Sequence, residues 1–324
     1  MKPVLVSVIV PIYNEAQVLA QLFSRLYPAM DRLGVPYEVV LVDDGSRDRS
    51  PEMIRQQVQA RPDRTRGVLL AGNVGQHLAI LAGFEHARGD RLVTLDADLQ
   101  NPPEEIGKVL DLLDKGHDYV GGVRVNRRDP WWRAGISRLI NRVRESTTRV
   151  RMSDHGCMLR AYERRVVDAM LHSGEIHTFI PALAYTYSRN PAEVEVQHAP
   201  RAAGESKYSL FELARLNFDL MTGFTVGPLR AFSLFGIALS MLAALFVVYL
   251  ALRRLWVGPE AEGVFTLFAI NFLLIGIALF GIGLLGEYVG RIYEKVRDRP
   301  RYLVQEVLEP GGQPARPARW REAG

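Results

Sequence analysis

Cysteine is almost absent from this chain, which has 324 residues and a single Cys157. An intrachain disulfide is therefore excluded, and the composition fits a reducing compartment. The first residues, MKPVLVSVIVPIYNE, are not expected to be a signal peptide, because they become polar at once and contain no small-residue cleavage site. This stretch predicts a first β-strand. Histidines at metal-ligand spacing are missing too, so His77, His155, His172 and His177 are interpreted as structural or substrate-facing.

Charge is missing from two long segments near the C-terminus. Ala231–Leu252 is a run of 22 residues without a charged side chain, and Val264–Gly286 is a second run of 23. A bilayer core about 30 Å thick requires about 20 apolar residues in a helix. The two runs, joined by the short linker Arg253–Gly263, therefore predict a transmembrane hairpin. The alternative is a pair of buried helices in the core of a soluble domain.

The basic residues around these runs predict an orientation. The linker has two basic and two acidic residues, whereas the far flank, Arg291–Arg301, has five basic residues. The positive-inside bias therefore places both termini in the cytoplasm.

The first 125 residues alternate apolar strands with helix-length segments, a pattern that favours an α/β sheet. The predicted strands are Val4–Pro11, Tyr37–Ser46, Gly67–Gly72, Arg91–Asp98 and Asp118–Arg124. The predicted helices are Glu15–Leu33, Asp48–Ala60, Gln76–Ala87 and Pro103–Lys115.

Polar side chains follow three of these strands: Tyr13-Asn14-Glu15, Asp43-Asp44-Gly45-Ser46 and Asp96-Ala97-Asp98. In open α/β sheets, ligands bind outside the carboxyl ends of the strands, so we expect these groups to share one crevice. Paired carboxylates such as Asp96 and Asp98 suit Mg²⁺ or Mn²⁺, which then bridge to substrate phosphates. A solvated turn or a helix cap is the alternative for this pair.

Arginine is concentrated between Arg124 and Arg151, where nine arginines stand against two acidic residues. Within this stretch, Trp131–Arg149 has apolar residues at helical spacing, as has Tyr208–Phe224 further on. At least one of the two is predicted to lie at a membrane interface. Arginine binds phosphate in a bidentate manner, so some of these side chains are expected to bind substrate phosphate and others anionic lipid.

The chain carries five motifs together: VSVIVPIYNE, VVLVDDGSRDRS, GNVGQH, LDADLQNPPEE and GESKYS. In combination they resemble family 2 glycosyltransferases, which have the GT-A fold. The two apolar runs and the segment GEYVGRIYEKVRDRPRY narrow the resemblance to the membrane-bound polyprenyl-phosphate glycosyltransferases. The resemblance extends from Val4 to about Pro310. Val74 departs from it, since members that transfer an arabinose derivative tend to have tyrosine there.

The resemblance implies a fold and a domain organisation. The expected fold is α/β, a Rossmann-like GT-A domain with interfacial amphipathic helices and a C-terminal two-helix transmembrane hairpin. The expected segments are a catalytic domain (1–207), an interfacial helix (208–230), a hairpin (231–286, with spans 231–252 and 264–286) and a basic cytoplasmic tail (287–324).

The resemblance also implies roles for individual residues. A nucleotide pocket is expected to be lined by Pro11, Tyr13, Glu15 and Asp44. The metal and donor diphosphate are expected at Asp96, Asp98 and Gln100. Phosphate or acceptor binding is expected from Arg124, Arg133, Ser137, Arg201 and Lys207, the last two on a mobile loop. The catalytic group is expected to comprise Asp96, Asp98, Arg133 and Asp154.

The implied reaction moves 4-deoxy-4-formamido-L-arabinose from a UDP donor to undecaprenyl phosphate, with inversion, for modification of lipid A with aminoarabinose. A phosphate monoester is largely dianionic at pH 7, so no catalytic base is required. Asp154 is the nearest candidate for a base, and its alternative role is to orient an arginine. The implied partners are the UDP-sugar, undecaprenyl phosphate, lipids of the bacterial inner membrane and further copies in a homo-oligomer such as a tetramer, but no nucleic acid.

Three alternatives stay open at this point. One is a bactoprenyl- or dolichyl-phosphate hexose transferase that uses glucose or mannose. Another is a processive polysaccharide synthase, which would carry a QxxRW-type motif and more spans. The third is a non-catalytic membrane protein that binds nucleotide or lipid.

Overall fold

The computed structural model describes residues 4–125, 152–154, 156–173, 179–199, 227–257, 264–296 and 300–309. These residues form two compact units. The first contains the described residues up to 199 together with 300–309, and the second contains 227–257 and 264–296.

The first unit is built on a mixed eight-stranded sheet with the order β7-β5-β6-β4-β1-β2-β3-β8. Its strands are β1 (Val6–Ile12), β2 (Tyr37–Asp43), β3 (Thr65–Leu70), β4 (Arg91–Thr94), β5 (Tyr119–Arg124), β6 (Arg160–Glu163), β7 (Pro191–Val196) and β8 (Val304–Leu308). Its helices are α1 (Ala16–Leu33), α2 (Ser50–Ala60), α3 (Gln76–His86), α4 (Ile106–Asp114), α5 (Arg164–His172) and α6 (Ile180–Tyr187). A 3₁₀ turn, Pro103–Glu105, precedes α4.

The centre of the sheet is parallel and buried on both faces. β4, β1, β2 and β3 run in the same direction, and almost every residue of β1, β2 and β3 is buried. This burial explains why these strands are continuous apolar runs rather than alternating ones. The helix α1 covers one face with Leu19, Leu22, Leu26 and Met30, which recur at helical spacing and are fully buried. This scaffold aligns the carboxyl ends of β4, β1 and β2.

The strand β8 comes from the C-terminal segment and pairs antiparallel with β3. It follows the two long helices of the second unit in the chain, yet it completes the sheet of the first unit. The sequence pattern does not predict this strand, which falls in the segment assigned to a C-terminal tail (287–324).

In its described residues, the second unit has two long helices, α7 (Gly227–Val257) and α8 (Val264–Val296). They have 31 and 33 residues, so at 1.5 Å per residue they are about 46 and 50 Å long. Among the residues that the structure describes, one 18-residue window, Leu273–Gly290 in α8, is long and apolar enough to cross a membrane, with a mean hydropathy of 1.9. Only 11% of that window is buried. Such exposure does not fit the core helices of a soluble domain.

A close contact joins the two helices. The ring of Phe232 in α7 packs against Gly281 in α8 so tightly that a Cβ there would lie 2.4 Å from the ring. Phe232 also contacts Phe280, with 5.7 Å between the ring centroids. Small residues at such positions let membrane helices approach closely. Apart from its last residues, which begin α7, the predicted interfacial helix (208–230) lies outside the described residues, as does the stretch Trp131–Arg149.

Candidate active site

The structure brings the polar residues predicted from the sequence to one edge of the sheet. Tyr13 follows β1, Asp43 and Asp44 stand at the end of β2, and Asp96 and Asp98 follow β4. The order β4-β1-β2 makes these three ends neighbours. Tyr13 is 44% exposed, so its ring is accessible at this edge.

Asp44 holds the loop after β3 onto the end of β2. One of its carboxylate oxygens accepts a hydrogen bond from the backbone N–H of Val74 at 2.8 Å, and the other accepts one from Gly75 at 3.0 Å. Burial raises the pKa of Asp44, although these two hydrogen bonds act in the opposite direction. The structure therefore gives Asp44 a positioning role beside the predicted nucleotide pocket.

The turn after β2 requires glycine. Gly45 has φ +68°, and a Cβ at this position would lie 2.5 Å from the carbonyl carbon of Gly72. The absence of a side chain lets the turns after β2 and β3 touch. Ser46 also stabilises this edge, since its Oγ accepts a hydrogen bond from the backbone N–H of Asn14 at 2.9 Å.

The remaining residues of the predicted nucleotide pocket lie on or beside β1. Pro11 pairs with Val42 of β2 and is half-buried. Glu15 precedes α1, and its carbonyl oxygen accepts hydrogen bonds from Val18 and Leu19. Its backbone N–H donates to Ser50 Oγ at 3.1 Å. These contacts fix the start of α1 next to Tyr13.

Asp96 and Asp98 lie on a turn with a strained backbone. Leu99, which follows them, has φ +61°, a left-handed conformation that is costly for leucine. Gln76 Nε2 donates a hydrogen bond to Asp96 Oδ1 at 2.5 Å, and the backbone N–H of Gln100 donates to Asp98 Oδ1 at 3.1 Å. Both carboxylates are half-buried.

The chemistry of this turn fits a hard divalent cation. Asp96, Asp98 and the Gln100 amide offer oxygen ligands of the kind that Mg²⁺ and Mn²⁺ prefer. In the described part of the chain, no group of three or more His, Cys, Asp or Glu side chains could hold a metal. A cation here would therefore need further ligands from a substrate or from water.

Arg124 and Asp154 form a bidentate ion pair next to this edge. The guanidinium donates to the two carboxylate oxygens at 2.6 and 2.9 Å, and only 4% of the Asp154 side chain is exposed. Burial alone would raise the pKa of Asp154, but the hydrogen bonds and charge of Arg124 outweigh it and lower the pKa to about 2. So weak a base fits the alternative role of Asp154, orientation of an arginine. The predicted residues Arg133, Ser137, Arg201 and Lys207 lie outside the described residues.

Two residues near the site were not predicted. Arg160 is fully buried, and its guanidinium donates hydrogen bonds to the carbonyl oxygens of Asp154 and Cys157, both at 2.7 Å, and to the hydroxyl of Tyr119. The sequence signal for Arg160 is its place in CMLRAY, because a charged residue among apolar residues needs hydrogen-bond partners when it is buried. His198 follows β7, and its pKa is lowered by burial and by Arg124, while Asp98 and Asp154 act in the opposite direction. The next residue, Ala199, donates a backbone hydrogen bond to the carbonyl oxygen of Gln100 at 2.8 Å, so His198 lies near the turn that carries Asp98.

Two of the histidines interpreted as structural or substrate-facing lie in the described residues. The ring of His77 meets Phe179 edge-on, with 5.2 Å between the centroids. Burial lowers the pKa of His77 to about 4, so it is neutral at pH 7. His172 Nδ1 hydrogen-bonds the carbonyl oxygen of Asp168 one turn earlier in α5, at 2.6 Å. His155 and His177 lie outside the described residues.

Comparison with known proteins places the chain among glycosyltransferases. Residues 7–171 match the family model described as Glycosyl transferase family 2. The chain is 53% identical over 305 residues to the Undecaprenyl-phosphate 4-deoxy-4-formamido-L-arabinose transferase of Edwardsiella ictaluri, covering 94% of each chain. It is 50% identical over 313 residues to the protein of the same name from Aeromonas hydrophila, covering 96% of each.

The chain also resembles solved structures. Mannosyl-3-phosphoglycerate synthase from Rubrobacter xylanophilus superposes with a TM-score of 0.50 at 13% identity, covering 68% of this chain and 72% of that one. Glucosyl-3-phosphoglycerate synthase from Mycobacterium tuberculosis, crystallised with Mn²⁺, UDP and glucosyl-3-phosphoglycerate, gives a TM-score of 0.45 at 16% identity, covering 68% and 78%. The predicted GT-A fold is confirmed by the family match and by the likeness to mannosyl-3-phosphoglycerate synthase.

Proposed function

Because the chain belongs to glycosyl transferase family 2, we propose that it transfers 4-deoxy-4-formamido-L-arabinose from a UDP donor to undecaprenyl phosphate. One observation carries this proposal. Along both units, the chain is identical at about half of its positions to relatives named for that sugar and that lipid. The product would serve the modification of lipid A with aminoarabinose.

The donor's leaving group is a diphosphate, whose charge must be neutralised as the glycosidic bond breaks. Asp96, Asp98 and Gln100 would hold Mg²⁺ or Mn²⁺, which supplies that neutralisation when bound. Gln76 and the backbone of Gln100 orient the two carboxylates. Tyr13 offers an exposed ring for the nucleotide beside them.

The phosphate of the acceptor needs positively charged side chains around it, but it needs no catalytic base. Its phosphate monoester is largely dianionic at pH 7, so one of its oxygens can attack the anomeric carbon directly while the bond to UDP breaks on the opposite face. Asp154 holds the Arg124 guanidinium rigid through two hydrogen bonds. Arg133, Ser137, Arg201 and Lys207 are further proposed contacts to the acceptor phosphate or the diphosphate.

We place the reaction at the cytoplasmic face of the bacterial inner membrane. The helices α7 and α8 would form the hairpin, with spans 231–252 and 264–286. The strand β8 supports this hairpin, because it follows α8 in the chain and yet pairs with β3, which precedes α7. The segments before and after the helix pair can share one sheet only if both lie in the same compartment. The stretches 131–149 and 208–230 would lie near the headgroups, and copies would assemble as a homo-oligomer.

An assay with defined substrates tests the proposal. Membranes containing the protein are incubated with undecaprenyl phosphate and, separately, UDP-4-deoxy-4-formamido-L-arabinose, UDP-glucose and GDP-mannose. We expect lipid-linked product from the first donor, lost on chelation and restored by Mg²⁺ or Mn²⁺. Asp98→Asn should lower turnover more than about a hundredfold, because the cation loses an anionic ligand at the leaving group.

Asp111→Asn, at an exposed position on α4, is the matched control and should retain full turnover. Preferential transfer of glucose or mannose would replace the proposed substrate with a hexose. Absence of transfer from every donor would contradict the proposed function itself.

A further inference from the structure

A polar cleft of about 440 Å³ opens at the carboxyl ends of β2 and β3. Tyr13, Gly45, Arg47 and Asn73 line it, and so does Gln305 from β8. The strand order places β4, with Asp96 and Asp98, three strands away from β3. Neighbouring strands are about 4.8 Å apart, so the end of the cleft at β3 lies about 14 Å from β4, whose turn carries the proposed diphosphate site. A nucleoside attached to that diphosphate would extend in this direction.

Gln305 is the extra residue of a β-bulge. Leu69 pairs with Glu306 and Leu70 pairs with Val304, so Gln305 has no partner in the ladder between β3 and β8. Bulges re-aim side chains and are frequent next to active sites. Here the bulge coincides with an exposed amide side chain that lines the cleft.

Contacts on both sides of the bulge fix its position. The backbone N–H of Ala71 donates to the carbonyl oxygen of Leu303 at 2.8 Å. On the other side, Arg55 of α2 forms an ion pair with Glu306 at 2.9 Å. The residues before and after Gln305 are therefore both held in place. This limits the conformational entropy that is lost when a ligand binds to the Gln305 amide.

The lining of the cleft also contains a buried acceptor without a donor among the described residues. Asp43 is 3% exposed, and its Oδ1 has no hydrogen-bond partner within the described residues, while Oδ2 accepts from the backbone N–H of Ser46. An unsatisfied buried carboxylate oxygen costs free energy until a ligand or water donates to it. A nucleoside supplies N–H and O–H donors, so this part of the lining is also suited to one.

We propose that Gln305 is a specificity-determining residue that hydrogen-bonds the nucleobase of the sugar donor in this cleft. A primary amide offers a donor and an acceptor side by side, which complements a pyrimidine edge carrying both kinds of group. The strand that follows the membrane helices thus contributes to donor binding. This inference rests on the proposed function, which requires a nucleotide-sugar donor.

The test measures the binding of UDP and of inorganic pyrophosphate, each with Mn²⁺, to the purified full-length protein in detergent by calorimetric titration. Gln305→Ala removes the amide, and Gln305→Met keeps the length of the side chain but removes its hydrogen bonds. We expect both variants to raise the Kd for UDP about three- to tenfold. The Kd for pyrophosphate, the KM for undecaprenyl phosphate and the thermal midpoint should stay at wild-type values. Gln21→Ala, exposed on α1, is the matched control and should change none of them.

Three outcomes would overturn the inference: an unchanged Kd for UDP in both variants, a loss in Gln305→Ala with wild-type affinity in Gln305→Met, or an equal loss of UDP and pyrophosphate binding. The second result would mean that the side chain only packs, and the third that the variants disturb the whole site. A wild-type protein that binds no UDP would instead contradict the proposed function. The two failures are therefore distinguishable.

Discussion

Asp44 and Asp154 are both buried aspartates at the edge of the candidate active site, and their pKa values are shifted in opposite directions. Asp44 accepts hydrogen bonds only from neutral backbone groups, so burial dominates and raises its pKa. Asp154 faces the guanidinium of Arg124, whose charge overcomes burial and lowers the pKa to about 2. For these two residues the hydrogen-bond partner, rather than the degree of burial, decides the direction of the pKa shift.

The Asp154–Arg124 pair should stabilise the protein in a pH-dependent manner. A carboxylate whose pKa is depressed on folding contributes stability above its unfolded value of 3.8, and this contribution is lost as the pH falls toward 2. Asp154→Asn should therefore cost about 2 kcal/mol of unfolding free energy at pH 6. The gap between wild type and variant should close between pH 4 and pH 2. Unfolding of the full-length protein in detergent, followed across this range, measures it.

A second background provides the control. In a protein that already carries Arg124→Gln, Asp154→Asn should no longer produce a gap that closes on acidification, because the partner that depresses the pKa is gone. A gap of equal size and equal pH dependence in both backgrounds would assign the effect to something other than this ion pair.

Much of the site could be predicted from the sequence because polar groups were expected where parallel strands end. Tyr13, Asp44, Asp96 and Asp98 all lie at that edge. The sequence does not predict which of Asp43 and Asp44 binds the loop after β3, because this depends on which carboxylate the backbone of Val74 and Gly75 reaches. Arg160, His198 and Gln305 were missed because long-range pairing, rather than local spacing, brings them to the site.

The turn between β2 and α2 is the element on which the cleft depends most. Gly45→Ala should destabilise the protein by about 1 kcal/mol through its positive φ, and by about 1–3 kcal/mol more through the clash with Gly72. It should also raise the Kd for UDP, because the turns after β2 and β3 would be pushed apart. Thermal unfolding and calorimetric titration of the full-length variant measure the two effects.

Gly34→Ala is the matched control for that experiment. Gly34 ends α1 with φ +67°, almost the same conformation, but a Cβ there would meet no atom within 4 Å. It should therefore show the conformational cost alone and bind UDP as the wild type does. Equal effects of the two substitutions on UDP binding would contradict the role assigned to the contact between the turns.

Apolar runs of strand length predict the parallel strands β1, β2, β3 and β4. Their predicted bounds differ from those in the structure by a few residues. β4 is shorter than predicted, ending at Thr94 rather than Asp98, because the turn that carries the aspartates leaves the ladder. β6 was not predicted, since it has only four residues and includes Arg160. Its antiparallel position between β4 and β5 is a long-range pairing that no local pattern specifies.

The proposed transmembrane hairpin predicts which introduced cysteines can be labelled from outside the cell. A cysteine introduced by Gly258→Cys should react with an impermeant thiol reagent in intact spheroplasts, whereas one introduced by Gly312→Cys should react only after lysis. The native Cys157 gives little background, because it is fully buried and burial raises the pKa of its thiol to about 11. The reverse pattern would overturn the proposed orientation, and the parent protein without either substitution is the control.

The late position of β8 in the chain has a consequence for how the protein is made. Val304 follows Leu70 by 234 positions, so at bacterial translation rates β8 leaves the ribosome about 10 to 50 s after its partner β3. Throughout that interval the nascent sheet has an open edge at β3, the kind of edge that attracts wrong partners. The newborn domain also lacks the wall that Gln305 provides. Synthesis of both long helices thus precedes completion of the catalytic sheet, and a chain interrupted before β8 would be left with an unfinished donor cleft.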